Sequence, residues 1–375
     1  METNPPHTRN PALAAPLPSS SPPASRAYFE KIDGLRALAI GFVLVEHFAP
    51  SVGHRVTAGY FGVDLFFVIS GFLVTNILLG ARGSFASAYG KFVARRTLRI
   101  FPLYYLVLAL LLAAGYAPAR EQILYLATYT YNYAWVALDL PSGYLTHFWS
   151  LALEEQFYLV WPPIVLSLRR WPRVLFAGTG LFASVCFFQL VTSHFESVVP
   201  YNYVGLFPRA GSLALGALGA LLQRRPAFLE ALFRNLLLEW LVLAGMATSL
   251  VTTYDLKLVV LGFGSLYLVL KAAHSEFQSI ALNRLLTHPW VLHVGRVSYG
   301  IYLLHVPIGL WLTDHLVAPW WMGLDFDGMG SFGWIRHALW VLLLPLYGGL
   351  SILAATLSHK VLERPILSLK DRWFR

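Results

Sequence analysis

The chain has 375 residues, of which 57% are hydrophobic and 13% are charged, with a formal net charge of +9. About a quarter of the residues of an average soluble domain are charged, so this composition excludes an ordinary soluble protein. An aromatic share of 15% suits side chains at membrane–water interfaces. We therefore expect an all-α, polytopic membrane protein. Its single cysteine, Cys186, excludes an internal disulfide.

The chain begins with a stretch that cannot bury a core. Residues 1–26 are rich in proline and serine and are predicted to form a disordered tail. About ten apolar segments of spanning or near-spanning length follow, and a span needs about 20 residues, so the shorter ones need extension at their ends. The segments are 35–50, 60–80, 98–116, 148–167, 174–192, 209–223, 236–252, 257–272, 290–313 and 335–358. We take residues 27–366 as one transmembrane domain and residues 367–375 as a C-terminal tail.

The basic residues are distributed unevenly between the two sets of connections. Most of the 28 lysines and arginines fall in the connections on the side that carries both termini. Connections on the cytoplasmic side of a membrane carry an excess of lysine and arginine. Both termini, including the basic C-terminal tail, are therefore predicted to be cytoplasmic. The net charge is then mainly an orientation signal, and we expect no binding of nucleic acid.

Ionisable residues at membrane depth are costly and are usually kept for a function. In the first segment, Arg36 and His47 are eleven residues apart, so they share a helical face about 16.5 Å apart along the axis. In the fourth, "HFWSLALEEQFYLVWP", His147 and Glu154 share a face, and Glu155 points about 100° away. We expect one of these carboxylates to line a cavity and the other to be paired for structure.

Three histidines approach the predicted outer side from different segments. His305 lies in the ninth segment on one stripe with Tyr302 and joins His47 and His147 in this group. Histidine is the usual general base near neutral pH, and a carboxylate can fix its tautomer. Each histidine taken alone also fits an interfacial or packing role.

The stretch "KFVARRTLRIFP" concentrates basic residues on the predicted cytoplasmic side. Its arginines Arg95, Arg96 and Arg99 fit either anchors for anionic lipid or a clamp for the phosphates of a nucleotide-like donor. On the outer side, Arg209 is predicted to pair with Glu154 or Glu155, or to bind a saccharide or carboxylate ligand. A purely structural ion pair is the alternative for Arg209.

Several stretches together resemble the acyltransferase-3 family of integral-membrane O-acyltransferases. They are "DGLRALAIGFVLVEH", "GVDLFFVISGFL", "FVARRTLRIFP", "FWSLALEEQFYLVWP", "FPRAGSLALG", "VGRVSYGIYLLHVP" and "LERP", in family order across residues 28–366. The resemblance implies a ten-helix core that moves an acyl group, usually acetyl, from cytoplasmic acyl-CoA to a hydroxyl of an extracytoplasmic glycan. It also implies that His47 is similar to the family's essential histidine and Arg36 to its partner arginine.

The same resemblance assigns the remaining motif residues. Arg96 and Arg99 match the family's Arg-x2-Arg near the donor, and Glu154 matches the glutamate of Trp-Ser-Leu-x2-Glu. We expect His47 to act as general base or transient acyl carrier, and Glu154 to orient or stabilise a histidine. The donor side is predicted to contain Arg36, Arg95, Arg96 and Arg99. The acceptor side is predicted to contain His147, Glu155, Arg209, Tyr302 and His305.

These expectations describe a membrane O-acyltransferase of the bacterial inner membrane. Its partners are acyl-CoA as co-substrate, a glycan or glycolipid acceptor, and membrane lipid. We expect no bound cofactor and no metal ion. The alternative is a transporter or flippase of a lipid-linked saccharide, since intramembrane charges suit that class as well.

Overall fold

The structure is a computed structural model that describes residues 29–49, 58–138, 140, 143, 145–194, 204–251, 257–319 and 335–373. Regular secondary structure within these ranges is entirely helical, in agreement with the all-α prediction. In chain order the helices are α1 (Glu30–Phe48), α2 (Ala58–Leu79), α3 (Phe85–Ala113), α4 (Ala117–Glu121), α5 (Ile123–Ala127), α6 (Tyr131–Ala137), α7 (Phe148–Leu168), α8 (Pro172–His194), α9 (Leu206–Leu222), α10 (Pro226–Arg234), α11 (Leu236–Val251), α12 (Lys257–His274), α13 (Ile280–Thr287), α14 (Pro289–Leu312), α15 (Ile335–Ser358) and α16 (Arg364–Trp373). Two π-helical turns, Thr313–Val317 and His359–Glu363, follow α14 and α15.

Each predicted apolar segment coincides with one of the longer helices, but the ends differ. The largest difference is in α3, which begins at Phe85 and continues through the basic stretch without a break. The Ser84 hydroxyl caps this helix by accepting a hydrogen bond from the Ser87 amide at 3.3 Å. The connection after α3 also contains three short helices that the sequence pattern did not predict. The predicted tail 1–26 and most of the connection 314–334 lie outside the described residues.

Four helices in the described part of the chain are long and apolar enough to cross a membrane: α2, α3, α8 and α12. On α8 the large apolar side chains of Leu181, Val185 and Phe188 are exposed, as expected for a helix that faces lipid. These features agree with a membrane protein. Crossing by all ten predicted segments and the cytoplasmic side of both termini stay predictions.

Close backbone contacts hold the helices around α2. At Gly71 of α2, a Cβ atom would collide with the carbonyl oxygen of Leu213 on α9, and at Gly216 of α9 it would collide with the Val68 carbonyl oxygen of α2. Small residues permit this approach of two apolar helices, and only glycine fits both positions without a shift of backbone. The same holds for Gly295 of α14 against the backbone of α1. The result is that α1, α2, α7 and α14 surround one common space.

Candidate functional site

A cavity of about 1330 Å³ lies between α1, α2, α3, α7 and α14. It exceeds the roughly 300–1,000 Å³ of most small-molecule pockets, so it accommodates a large ligand. Basic side chains from two helices and two connections line it, namely Arg36, Arg82, Lys91, Arg95, Arg96, Arg99 and Arg224. The four arginines predicted for the donor side are therefore brought together in one cavity.

The arginines of this cavity lie close to one another. Arg99 is near enough to Arg36 and to Arg96 to be repelled by both. The guanidinium carbon of Arg96 lies 4.6 Å from the centroid of the Tyr158 ring, and Arg36 is 3.3 Å from the Asp33 carboxylate. Like charges gathered in this way repel, and a bound polyanion relieves the repulsion. The arrangement thus suits a ligand with several phosphate oxygens.

Glu154 also lines this cavity, and its contacts differ from the prediction. Its Oε1 accepts a hydrogen bond of 2.6 Å from the Ser70 hydroxyl, which in turn accepts one of 3.1 Å from Tyr158. The expected contact between Glu154 and a histidine is absent from the described residues. The reason is distance along α7, since Glu154 lies two turns, about 10.5 Å, beyond His147. Its charge acts on the arginines instead, because Arg36 and Arg96 are within electrostatic range.

Glu155 is not part of the cavity lining. Its Oε1 is buried and has no hydrogen-bond partner among the described residues. The prediction that the two carboxylates diverge is correct, with Glu154 in the cavity. The prediction that the second one is paired for structure is wrong for the described residues, which contain no ion pair to Glu155.

The three predicted histidines form a cluster at the other end of the same helices. The ring centroids of His47 and His305 are 4.9 Å apart, and those of His147 and His305 are 5.2 Å apart. His147 and His305 are buried, whereas His47 is exposed at the end of α1. Of the predicted acceptor-side group, His147, His305 and Tyr302 come together here, whereas Arg209 forms an ion pair with Asp64.

Backbone carbonyls define the proton positions on these rings. Nδ1 of His47 lies 2.9 Å from the Val43 oxygen, and Nδ1 of His305 lies 2.6 Å from the Tyr302 oxygen. A carbonyl oxygen only accepts, so Nδ1 carries the proton in both rings and Nε2 is the basic nitrogen of the neutral form. In His147 the roles are exchanged, since Nε2 donates to the Leu303 oxygen at 3.2 Å.

Tyr302 and Ser150 connect the histidine cluster with the cavity. Both line the cavity, and their hydroxyl oxygens are 2.6 Å apart. The Tyr302 ring centroid lies 5.8 Å from that of His147 and 5.6 Å from that of His305. Sequence reasoning assigned Tyr302 to the acceptor side alone and did not assign Ser150 or Ser70 to the site. Both serines lie inside motifs used for the resemblance, "FWSLALEEQ" and "GVDLFFVISGF", and this position in the motifs is the signal that could have identified them.

Arg209 has a different partner from the predicted glutamates. Its guanidinium lies 3.1 Å from Oδ1 of Asp64, which also accepts a hydrogen bond of 2.8 Å from Ser212. Both charged side chains are almost completely buried between α2 and α9. The helices α2 and α9 are in backbone contact, so Asp64 lies closer to Arg209 than the carboxylates of α7. The predicted pairing with Glu154 or Glu155 is therefore replaced by an ion pair with Asp64, the kind of contact considered as the alternative for Arg209.

Replacing Arg209 by alanine is expected to destabilise the protein by about 3–5 kcal/mol, because the Asp64 carboxylate would stay buried without its counter-charge. Thermal unfolding of the detergent-solubilised protein measures the effect. Arg120→Ala, which removes an exposed arginine, serves as the control and should unfold like the wild type. An unchanged unfolding temperature for Arg209→Ala would show that the pair contributes little.

Comparisons with known proteins identify the family of this chain. A family model described as an acyltransferase domain, acyltransferase-3, matches residues 29–359. The chain is 31% identical over 319 residues to the peptidoglycan O-acetyltransferase OatA of Listeria monocytogenes, covering 76% of this chain and 50% of that protein. It is 25% identical over 329 residues to the O-acetyltransferase OatA of Staphylococcus aureus, covering 78% and 52%. The chain spans about half the length of the curated relatives it matches. No solved structure matches it.

Proposed function

Since the chain belongs to the acyltransferase-3 family, we propose that it is an O-acetyltransferase that moves an acetyl group from acyl-CoA to a hydroxyl of an extracytoplasmic glycan. The observation that carries the proposal is one continuous arrangement. An arginine-lined cavity reaches a histidine cluster through the side chains of Tyr302 and Ser150. A donor with phosphates at one end and a thioester at the other fits this arrangement, with its phosphates at the arginines and its thioester near Tyr302 and Ser150.

The donor is bound from the cytoplasmic side in this proposal. Arg36, Arg95, Arg96 and Arg99 hold the phosphates of acyl-CoA, since guanidinium groups match phosphate oxygens in geometry and charge. Glu154 offsets part of their charge and holds Ser70 through the 2.6 Å hydrogen bond. Acyl-CoA is a negatively charged co-substrate. Because the cavity is lined by arginines, it binds an anion more strongly than a neutral ligand.

His47 acts as the general base in this proposal. Its Nδ1 proton is held by the Val43 carbonyl, which leaves Nε2 to take the proton of the acceptor hydroxyl. The hydroxyl oxygen then forms a bond to the acyl carbon while the carbon–sulfur bond of the thioester breaks. The proton from His47 neutralises the leaving thiolate, so free CoA and an acetyl ester are the products. The His305 ring packs beside His47, and the His147 ring packs beside His305.

The acceptor class follows from the relatives. The Listeria monocytogenes protein is named a peptidoglycan O-acetyltransferase, so a cell-wall glycan is the first acceptor to test. In a protein of the bacterial inner membrane, the exposed His47 at the predicted outer end of α1 would face the side on which a cell-wall glycan lies. The relatives are named transferases, which favours an enzyme over the transporter or flippase alternative.

Purified protein in detergent or vesicles, mixed with acetyl-CoA and soluble peptidoglycan fragments, tests the proposal. We expect free CoA thiol to appear in proportion to acetylated glycan, detected by mass spectrometry. Acetyl-CoA without glycan should release far less thiol. Absence of acetylated product with every glycan offered, or movement of a lipid-linked saccharide without thiol release, would contradict the proposal.

A further inference from the structure

The cavity changes its chemistry along α2. Its lining on this helix runs from Leu78 to Val63, which corresponds to about 22 Å along the helix axis. The arginines lie toward one end, whereas Val63, Phe66 and Leu151 make the other end apolar. A ligand that spans the cavity therefore has its anionic part at the first end and a small apolar part at the second.

Tyr302 lines the apolar end. Its hydroxyl is hydrogen-bonded to Ser150 at 2.6 Å and donates to the His147 carbonyl oxygen at 3.3 Å. The ring is 8% exposed and contacts Phe66 on one side, with ring centroids 6.1 Å apart, and the histidine cluster on the other. Turning this ring away would break buried hydrogen bonds, so the ring is a fixed part of the wall at this end of the cavity.

We propose that Tyr302, held by Ser150, limits the acyl group that this protein transfers to a short chain. The inference rests on the proposed function, in which the arginines bind the phosphates of the donor. With the phosphates at the basic end, the acyl group lies against the Tyr302 ring. Each further methylene must displace a fixed aromatic ring, and overpacking of this kind is unfavourable.

The size of the effect follows from the behaviour of closed apolar pockets. One methylene too many is rejected by roughly 10- to 200-fold in kcat/KM. Hexanoyl-CoA has four methylenes more than acetyl-CoA, so the wild-type preference for acetyl should exceed about 100-fold. Tyr302→Ala removes the ring and extends the apolar end toward the histidines. We expect the preference for acetyl over hexanoyl to fall by at least about tenfold in this variant.

The experiment compares kcat/KM for acetyl-CoA and hexanoyl-CoA in the wild type, Tyr302→Ala, Tyr302→Leu and Tyr302→Phe, with the same glycan acceptor. Tyr302→Phe keeps the ring and should keep most of the preference. Leu73→Ala is the matched control, because it removes apolar volume from the wall of the same cavity away from Tyr302. The ratio of two donors is independent of the amount of folded protein, so a purely structural role of Tyr302 would leave it unchanged.

The possible outcomes separate this inference from the proposed function. Wild-type protein that transfers no acyl group from either donor contradicts both. Wild-type protein that uses acetyl-CoA and hexanoyl-CoA equally well contradicts the chain-length limit alone. The limit is also contradicted if Tyr302→Ala and Tyr302→Leu keep the wild-type ratio, or if Leu73→Ala shifts it as much. If Tyr302→Ala does not fold, Tyr302→Leu decides the question.

Discussion

We expect the His47→Ala protein to fold and stay in the membrane but to lose acetyl transfer, with kcat/KM lower by about 10²- to 10⁴-fold or more. The loss is expected because Nε2 of His47 is the basic nitrogen closest to the exposed side of the histidine cluster. Folding should persist because the side chain is exposed at the end of α1. Acetylated glycan measured by mass spectrometry gives the activity, and thermal unfolding in detergent gives the stability.

His315 provides a matched control for this experiment. It is exposed, and its Nδ1 contacts a carbonyl oxygen one turn back at 3.0 Å, as His47 does at 2.9 Å. It does not contact His147 or His305 within the described part of the chain. His315→Ala should therefore keep wild-type activity. Full activity in a well-folded His47→Ala protein would show that His47 is not the general base. Equal losses of activity in His47→Ala and His315→Ala would show that the loss is not specific to His47.

The elements of the fold could be predicted well from the sequence because apolar length is a local property. Each apolar segment forms a helix, and its position needs no knowledge of its neighbours. The start of α3 at Phe85 was missed because the basic residues before residue 98 mark a change in polarity that does not interrupt the helix. One helix can contain both a membrane span and an amphipathic extension. Hydropathy alone then places the start of the helix at the start of the span.

The partners of the charged residues were predicted less well. Helical spacing correctly indicated that Glu154 and Glu155 point apart, since that is a property of one helix. Which residue each carboxylate meets depends on which helices are neighbours. The glycine contacts between α2 and α9 bring Asp64 to Arg209, and Ser70 of α2 reaches Glu154 of α7. No spacing within a single segment contains that information.

The grouping of the site residues was predicted less well than the helices but better than the partners of the charged residues. The arginines and the histidines were expected at opposite ends of the helices, and the structure has them at opposite ends, while the membrane orientation stays a prediction. The sequence pattern did not predict that Tyr302 belongs to both groups, because a residue halfway along α14 lies between the two ends. The side chains that connect the two halves of the site, Ser150 and Tyr302, are neutral. A search for ionisable residues at membrane depth therefore passes over them.

The second large effect is expected at the basic end of the cavity. Arg99→Ala should raise KM for acetyl-CoA by roughly 10- to 100-fold with a much smaller change in kcat, since a hydrogen bond between charged groups contributes about 1.5–3 kcal/mol. Arg99 lines the cavity beside Arg36 and Arg96, so its loss removes positive charge from the place where the phosphates bind. The chemical step occurs at the other end and should be little affected.

A donor without phosphates separates this role from a structural one. The acetyl thioester of N-acetylcysteamine has the reacting group of acetyl-CoA but no phosphate for Arg99 to bind. We expect Arg99→Ala and the wild type to use this donor equally well, while they differ with acetyl-CoA. Arg173→Ala, an exposed arginine outside the cavity lining, should behave like the wild type with both donors. Equal losses of Arg99→Ala with both thioesters would mean that Arg99 supports the fold of the cavity and does not bind phosphate, because only phosphate binding distinguishes the two donors.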